Sequence, residues 1–536
     1  MKNRSRRKQV LAGTLLLTIA SFVAKLLSAV YRIPFQNMVG NIGFYVYQQI
    51  YPIYGIGMTF ALTGLPVFIS KLVVDTREPE NQVALVFRIQ RILLVICLVI
   101  FCILQFGAGL IAVRMDDSRL TPVIQSVSWM FLLIPFLSSW RGYFQGKMEM
   151  RPTAYSQVIE QIVRVSVILV VAYWATHHAV SPYKMGQFAM LSAPIAGVFA
   201  LTVILAWVWV HRPVRRTVRR TAKSIAEMRQ QPLVSRILLE GGTLCLVSAV
   251  MLLLQLADSF SVVSGLRSFG YTLGAAQNIK GIYDRSQTLV QLGQVLSTAS
   301  VTAVLPGLVM AHKRHQDVTF EHIATTNLRT NLALSLAMSV GLFALMPEVN
   351  RLLFSSAELN GTISLYCTSI VLTSILMTYN AILQSKNQYK NTMAAILFGF
   401  VVKLLINQPL IAYFGIIGAS MATLLSLVSM VLLLHLLARR DLQRLISGMQ
   451  VVKLSVVLGL MWLAVHSAVV VVNAMSPITS LRLQALVIAV VCIPVGIIFF
   501  FGGCLVLKVF SVREWLAIPL VSKYIKIKGV PTHENR

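Results

Sequence analysis

Stretches of about 20 consecutive apolar residues recur from one end of this chain to the other, and no other feature narrows its folds so far. At roughly 1.5 Å per residue, a helix of that length crosses about 30 Å of hydrocarbon. A water-soluble core has no room for so many of them. With 57% of 536 residues hydrophobic and 12% charged, a bilayer has to serve as solvent. The runs do not alternate polar with apolar as barrel strands would, so an all-α, polytopic membrane protein is expected. The first run, residues 10–30, has no small-residue cleavage site and is followed by similar runs, and it reads as a retained helix rather than a signal peptide.

Spans fall near residues 10–32, 44–70, 92–113, 122–140, 154–176, 186–210, 237–264, 286–311, 328–347, 361–383, 392–412, 415–438, 454–473 and 483–508, about fourteen transmembrane helices in all. The basic residues test this count, because an invented or missed helix would scramble their alternation between loops. With both termini cytoplasmic, inside segments hold 35 of the 47 Lys and Arg residues and outside segments hold nine. Lys25, Arg164 and Lys403 fall within helices. The formal charge of +29 is therefore mostly topology rather than a nucleic-acid footprint. Its densest run, residues 212–236, is an amphipathic linker suited to anionic headgroups of membrane lipids.

Cys97, Cys102, Cys245, Cys367, Cys492 and Cys504 all lie in apolar runs without metal-ligand spacing and read as reduced small hydrophobes. No phosphate loop, paired-histidine motif or nucleophile elbow stands where a catalytic domain could use it, so neither an enzyme nor a metal or organic cofactor is expected.

The chain repeats itself. A shift of 239 residues lays Gln145-Gly146-Lys147 on Gln384-Ser385-Lys386, Thr153 on Thr392 and Arg164 on Lys403. Shifts of 229 and 240 place Gly13-Thr14 on Gly242-Thr243 and Pro66 on Pro306. Two pseudo-symmetric six-helix lobes of the same orientation are expected, at 1–210 and 237–440, joined by the basic linker 211–236. A helix pair at 441–510 and a basic tail at 511–536 follow. Two such bundles can rock about a central cavity, which is how a transporter works; a scaffold without transport is the alternative.

A cation at bilayer depth costs about 3 kcal/mol on insertion scales, so the three intramembrane cations should point inward. Lys25 and Arg32 are seven residues apart and share a helix face, a cationic stripe unless Arg32 snorkels to the interface. Glu160 and Arg164 have the i, i+4 order of an ion pair on one helix, a supporting structural role. Lys403 has Gly399 where Glu160 would be, which leaves it for a ligand or for an acid on another helix. Asp258 is deep in the seventh span and either pairs with an inward cation or couples transport to a proton or cation. Asp284-Arg285 opens the eighth span near the outer face, where an exposed pair has little energetic value. Among inward candidates, Lys25, Arg32, Arg164, Arg285 and Lys403 outnumber Glu160, Asp258 and Asp284, so the cavity should favour anions over organic cations.

The residues Gly13-Thr14-Leu15-Leu16-Leu17 through Lys25-Leu26-Leu27 to Tyr31-Arg32-Ile33-Pro34-Phe35, then Gly64-Leu65-Pro66, Gln145-Gly146-Lys147 and Tyr283-Asp284-Arg285, come in an order that resembles the multidrug/oligosaccharidyl-lipid/polysaccharide exporter superfamily. Within it the chain is similar to the stage V sporulation protein B and MurJ-like lipid II flippase branch, over nearly its whole length. The resemblance implies two six-helix lobes around a cationic cavity, with the last two helices forming a groove for a polyprenyl tail. It places Lys25, Arg32 and Arg285 among the substrate contacts; Lys403, without the repeat's acidic partner, is a further candidate on the residues alone. It also implies a lipid-linked sugar as substrate, contact with cell-wall synthesis machinery and a multi-pass place in the cell membrane. Two departures stand out: Lys25 is a point charge where the family usually has arginine, and the second span offers Gln48, Gln49, Tyr51 and Tyr54 in place of a cavity arginine. The driving force, whether membrane potential, a monovalent cation or consumption of product, stays open. So does the alternative of exporting small drugs or other polysaccharide precursors.

Overall fold

The computed structural model describes residues 16–76, 78–211, 233–437, 448–475, 480–511 and 514–515, with residue 18 excepted. Most of the basic linker and of the basic tail, and the Gly13-Thr14 pair, lie outside the described residues. Within them the chain is helical and forms no strand. Thirteen helical segments are long and apolar enough to cross a membrane. The first, Ile19–Asp75, has 57 residues, more than two crossings need. It breaks at Gly40, whose φ of 69° and ψ of −174° suit glycine alone. Two crossings fit within this segment, which brings the total among the described residues to fourteen.

Helix α1 (19–30) leads into α2 (Arg32–Thr59), and a π-turn at Phe60–Gly64 joins α2 to α3 (Leu65–Asp75). The widened turn has a local cause. Pro66 has no N–H for the carbonyl four residues back, and its ring crowds that carbonyl. Thr59 and Thr63 also donate to Gly55 O and Thr59 O, at 2.9 and 3.0 Å, a pattern that bends helices.

Numbered along the chain, the helices that follow are α4 (Pro79–Phe106), α5 (Ala108–Arg114), α6 (Thr121–Ser128), α7 (Ile134–Gly146), α8 (Arg151–His177), α9 (Pro182–Met190), α10 (Ser192–His211), α11 (Gly242–Phe269), α12 (Leu273–Tyr283), α13 (Arg285–Lys313), α14 (Asp317–Phe354), α15 (Asn360–Cys367), α16 (Ser369–Ser385), α17 (Tyr389–Phe414), α18 (Ile416–Leu437), α19 (Gly448–Met475) and α20 (Leu481–Val506). Their large exposed side chains are apolar, as on α4, where Val95, Leu98, Val99 and Ile103 are all exposed; such a belt suits lipid and not water. The protein is a multi-pass membrane protein.

The repeat recurs in backbone geometry. Asp116 and Ser355 have φ of 57° and 55°, Met148 and Asn387 have φ of 58° and 57°, and both pairs are 239 residues apart. Corresponding helix ends therefore finish in the same left-handed residue.

The helices gather into two compact units, residues 1–292 with 389–429 and residues 293–388 with 430–536. In the first, α2 is enclosed by α8, α9, α11 and α12, and α7 packs on α3 with Gly142 and Gly146 set against Ile69 and Val73. In the second, α14 packs on α16, α19 and α20. Leu454, Val457 and Met461 meet Phe500 and Cys504 there, and Phe510 and Trp515 complete that core.

Candidate functional site

Arg32 stands at the start of α2 and is completely buried. Its guanidinium lies over the Tyr51 ring, 4.1 Å from the centroid, and none of its three nitrogens has a hydrogen-bond acceptor. Arg164 of α8, 1% exposed, lies over Tyr54 at 4.6 Å and Tyr31 at 5.1 Å. One of its nitrogens donates to Gln161 Oε1 at 3.0 Å, and Nε and Nη1 have no acceptor. Tyr31 and Tyr47 share a 2.9 Å hydrogen bond, and the Tyr51 and Tyr54 rings are 5.6 Å apart. Tyr47, Tyr51 and Tyr54 follow i, i+4, i+7 on α2, so one helix face supplies most of the cage.

Six other buried charges of this unit form three ion pairs, two of them different from those expected and one, Lys403 with Asp258, among the alternatives the sequence offered. Glu160 does not pair with Arg164. It pairs with Arg141 of α7 at 2.6 Å, and Arg141 also donates to Ser156 Oγ at 3.1 Å and to Ala61 O at 3.2 Å. The fourth span continues past residue 140, where hydropathy ends it: α7 runs on to Gly146 and buries Arg141 completely. Asp284 is likewise no exposed neighbour of Arg285. Both are buried, and Asp284 pairs at 2.5 Å with Lys280, which is one turn back on α12 and which loop counting had put in water. Lys403 pairs with Asp258 of α11 at 2.7 Å and donates to Thr423 Oγ1 at 2.7 Å and Ala419 O at 3.2 Å. Asn407 adds a 2.9 Å bond to Asp258. These groups are committed to one another.

Of the other sequence candidates, Arg285 donates to Asn41 Oδ1 at 2.7 Å, and Lys25 is exposed on α1, two turns before the buried Arg32. Gln48 reaches Gln287 at 3.0 Å, and Gln287 reaches Asp284 at 3.0 Å. Among the described residues no group of three or more His, Cys, Asp or Glu side chains comes together as a metal site would require.

Magnitudes decide what this arrangement does. The three ion pairs, Arg141–Glu160, Lys280–Asp284 and Lys403–Asp258, neutralise themselves. Arg32 and Arg164 remain without a carboxylate. A buried ion carries a desolvation penalty of several kcal/mol, whereas a cation–π contact returns only about 0.5–2 kcal/mol. The tyrosine cage is therefore too weak to offset two guanidinium charges, which stay uncompensated by any carboxylate among the described residues.

A family model described as "Polysaccharide biosynthesis protein" matches residues 10–312, over half of the chain. The chain belongs to this family. Among its relatives, the membrane protein YabM of Bacillus subtilis (strain 168) is 36% identical over 419 residues, covering 78% of each chain. The lipid II flippase MurJ of the same organism is 26% identical over 455 residues, 81% of this chain and 83% of its own. A solved structure of lipid II flippase MurJ in an inward closed conformation covers 92% of this chain and 100% of its own, with a TM-score of 0.64 and 12% identity. The family member has that transporter fold.

Proposed function

We propose that the protein is a flippase that carries a polyprenyl-pyrophosphate-linked cell-wall precursor, lipid II or a related lipid-linked glycan, across the cytoplasmic membrane by alternating access. One observation carries this reading: two fully buried guanidiniums, Arg32 and Arg164, share an aromatic cage with no acidic partner. A pyrophosphate supplies the missing charge, and guanidinium donors match its oxygens. An organic cation meets net repulsion in the same place.

In this reading Lys25, on the exposed part of α1, makes the first contact, Arg32 and Arg164 hold the pyrophosphate, and Arg285 flanks it. Lys403 and Asp258 hold α17 against α11 instead of touching substrate. The N-terminal and C-terminal six-helix lobes rock about the site, the tail stays in lipid along the last two helices, and both termini face the cytoplasm. No covalent chemistry is needed. Likeness to a protein named lipid II flippase supports the substrate class, with peptidoglycan synthesis and cell shape as its setting.

The test is depletion of the protein together with its paralogues, followed by assay of the leaflet on which polyprenyl-linked glycans accumulate. Inner-leaflet accumulation rescued by wild type but not by an inserted Arg32→Gln variant is expected. Unchanged sidedness of every such glycan would overturn the proposal and favour drug export or a scaffold.

A further inference from the structure

The first unit contains two π-turns, Phe60–Gly64 between α2 and α3 and Ile237–Gly241 at the head of α11, and each packs on the helix that follows the other, the first on α11 and the second on α3, near Lys71, Arg236 and Glu240. Single π-turns inside helices mark places where a helix is strained and often functional. Here the two segments touch closely. A methyl built on Gly64 would come within 2.7 Å of Cys245 Cα and 2.8 Å of its backbone nitrogen, and Gly241 lies against Phe68. Lys71 of α3 bonds Glu240 at 3.2 Å, and Arg236 bonds the same carboxylate at 2.9 Å. Cys245 is 2% exposed beneath this contact.

The first π-turn is held from behind by one side chain. Arg141 Nη1 donates to Ala61 O within the turn, its other nitrogens bond Glu160 and Ser156, and its neighbour Gly142 sets α7 directly against Ile69 of α3. Glu160 stands one turn from Arg164 on α8, so the helix that presents a guanidinium to the anion site also fixes the clamp on the π-turn. On the transport reading above, we propose that Arg141, held by Glu160, is a positioning residue: it holds in place the π-turn that Pro66 widens and thereby the closed contact of Gly64 on Cys245. Loss of the clamp frees the lower part of α2 and α3 to move from α11 and opens that end of the seam to water.

Cys245 is the native reporter. Full-length protein in membrane vesicles of both orientations is treated with a membrane-impermeant maleimide, and modification of Cys245 is mapped by peptide mass so that the other cysteines do not interfere. Arg141→Gln is expected to raise its labelling rate at least 10-fold. Arg141→Lys, which keeps the charge but cannot reach Glu160, Ser156 and Ala61 together, should raise it about threefold. Glu160→Gln should fall between them. Thermal melting confirms folding, and the lysine variant carries the test if the glutamine variant does not insert. Unchanged Cys245 labelling in a folded Arg141 variant overturns the proposal even if glycan sidedness is disturbed. Raised labelling with undisturbed sidedness leaves the clamp standing and separates it from transport, which the depletion experiment tests on its own.

Discussion

The two compact units bury polar groups in different ways. Among the described residues, the first buries six cations, Arg32, Arg141, Arg164, Lys280, Arg285 and Lys403, with four acids, Asp117, Glu160, Asp258 and Asp284. The second buries Glu348 and Glu514 and otherwise hydroxyls and amides, such as Asn327, Asn331, Ser374 and Thr378. Neutral groups glue helices cheaply: Asn331 reaches Asn327 on its own helix and Thr378 of α16 at 3.3 Å. Charges cost far more to bury, and folding alone does not call for two guanidiniums without partners. The contrast leaves the first unit with uncompensated buried charge, where the proposed function puts substrate recognition, and the second with apolar packing and neutral adhesion.

The sharpest way to break this contrast is to empty the anion site. Arg32→Gln with Arg164→Gln should lower flipping or complementation at least 100-fold while the protein still inserts, measured by leaflet-specific assay of lipid-linked glycan. An active double variant would remove the functional half of the comparison. Next comes the cost of orphaning a buried charge. Asp258→Ala leaves the Lys403 ammonium unpaired and should destabilise by about 3–5 kcal/mol, with most of the loss recovered when Lys403→Met is added. Unfolding midpoints in detergent report both values, and equal stability of the single and double variants would deny that the pair neutralises itself.

In the second unit the effects should be smaller. Asn331→Val removes a neutral interhelical bond and should cost about 0.5–1.5 kcal/mol with little change in transport. A loss as large as that of Asp258→Ala would erase the distinction between the units. Smallest of all, Arg329→Ala breaks a partly exposed 3.4 Å pair with Glu514 and should cost about 0–1 kcal/mol, less at high salt, as read by melting over a salt series.

Loop charge and hydropathy located the spans well because both act over 20 residues at a time. They failed where a single residue decided the outcome. Ending the fourth span at residue 140 instead of 146 put Arg141 in water and left Glu160 with the wrong partner. Treating the segment before Asp284 as an outer loop hid Lys280, although the i, i+4 spacing of Lys280 and Asp284 was there to be read. The tyrosine face of α2 was half visible: Tyr51 and Tyr54 stood out beside Gln48 and Gln49, while Tyr31 and Tyr47 did not. Helix periodicity shows which side chains share a face but not which helix that face meets.

The sequence by itself determined the solvent of this protein, its all-helical fold and its internal repeat, because each follows from sums over many residues. Only the tertiary structure decided which cations are neutralised. Lys403 meets Asp258, 145 positions away in the chain, and Arg141 leaves Arg164 free by taking Glu160. Ion pairing falls off over a few ångströms and depends on how helices rotate against one another. That rotation is set by small-residue contacts such as Gly142 on Ile69 and Gly64 on Cys245, which no single segment encodes.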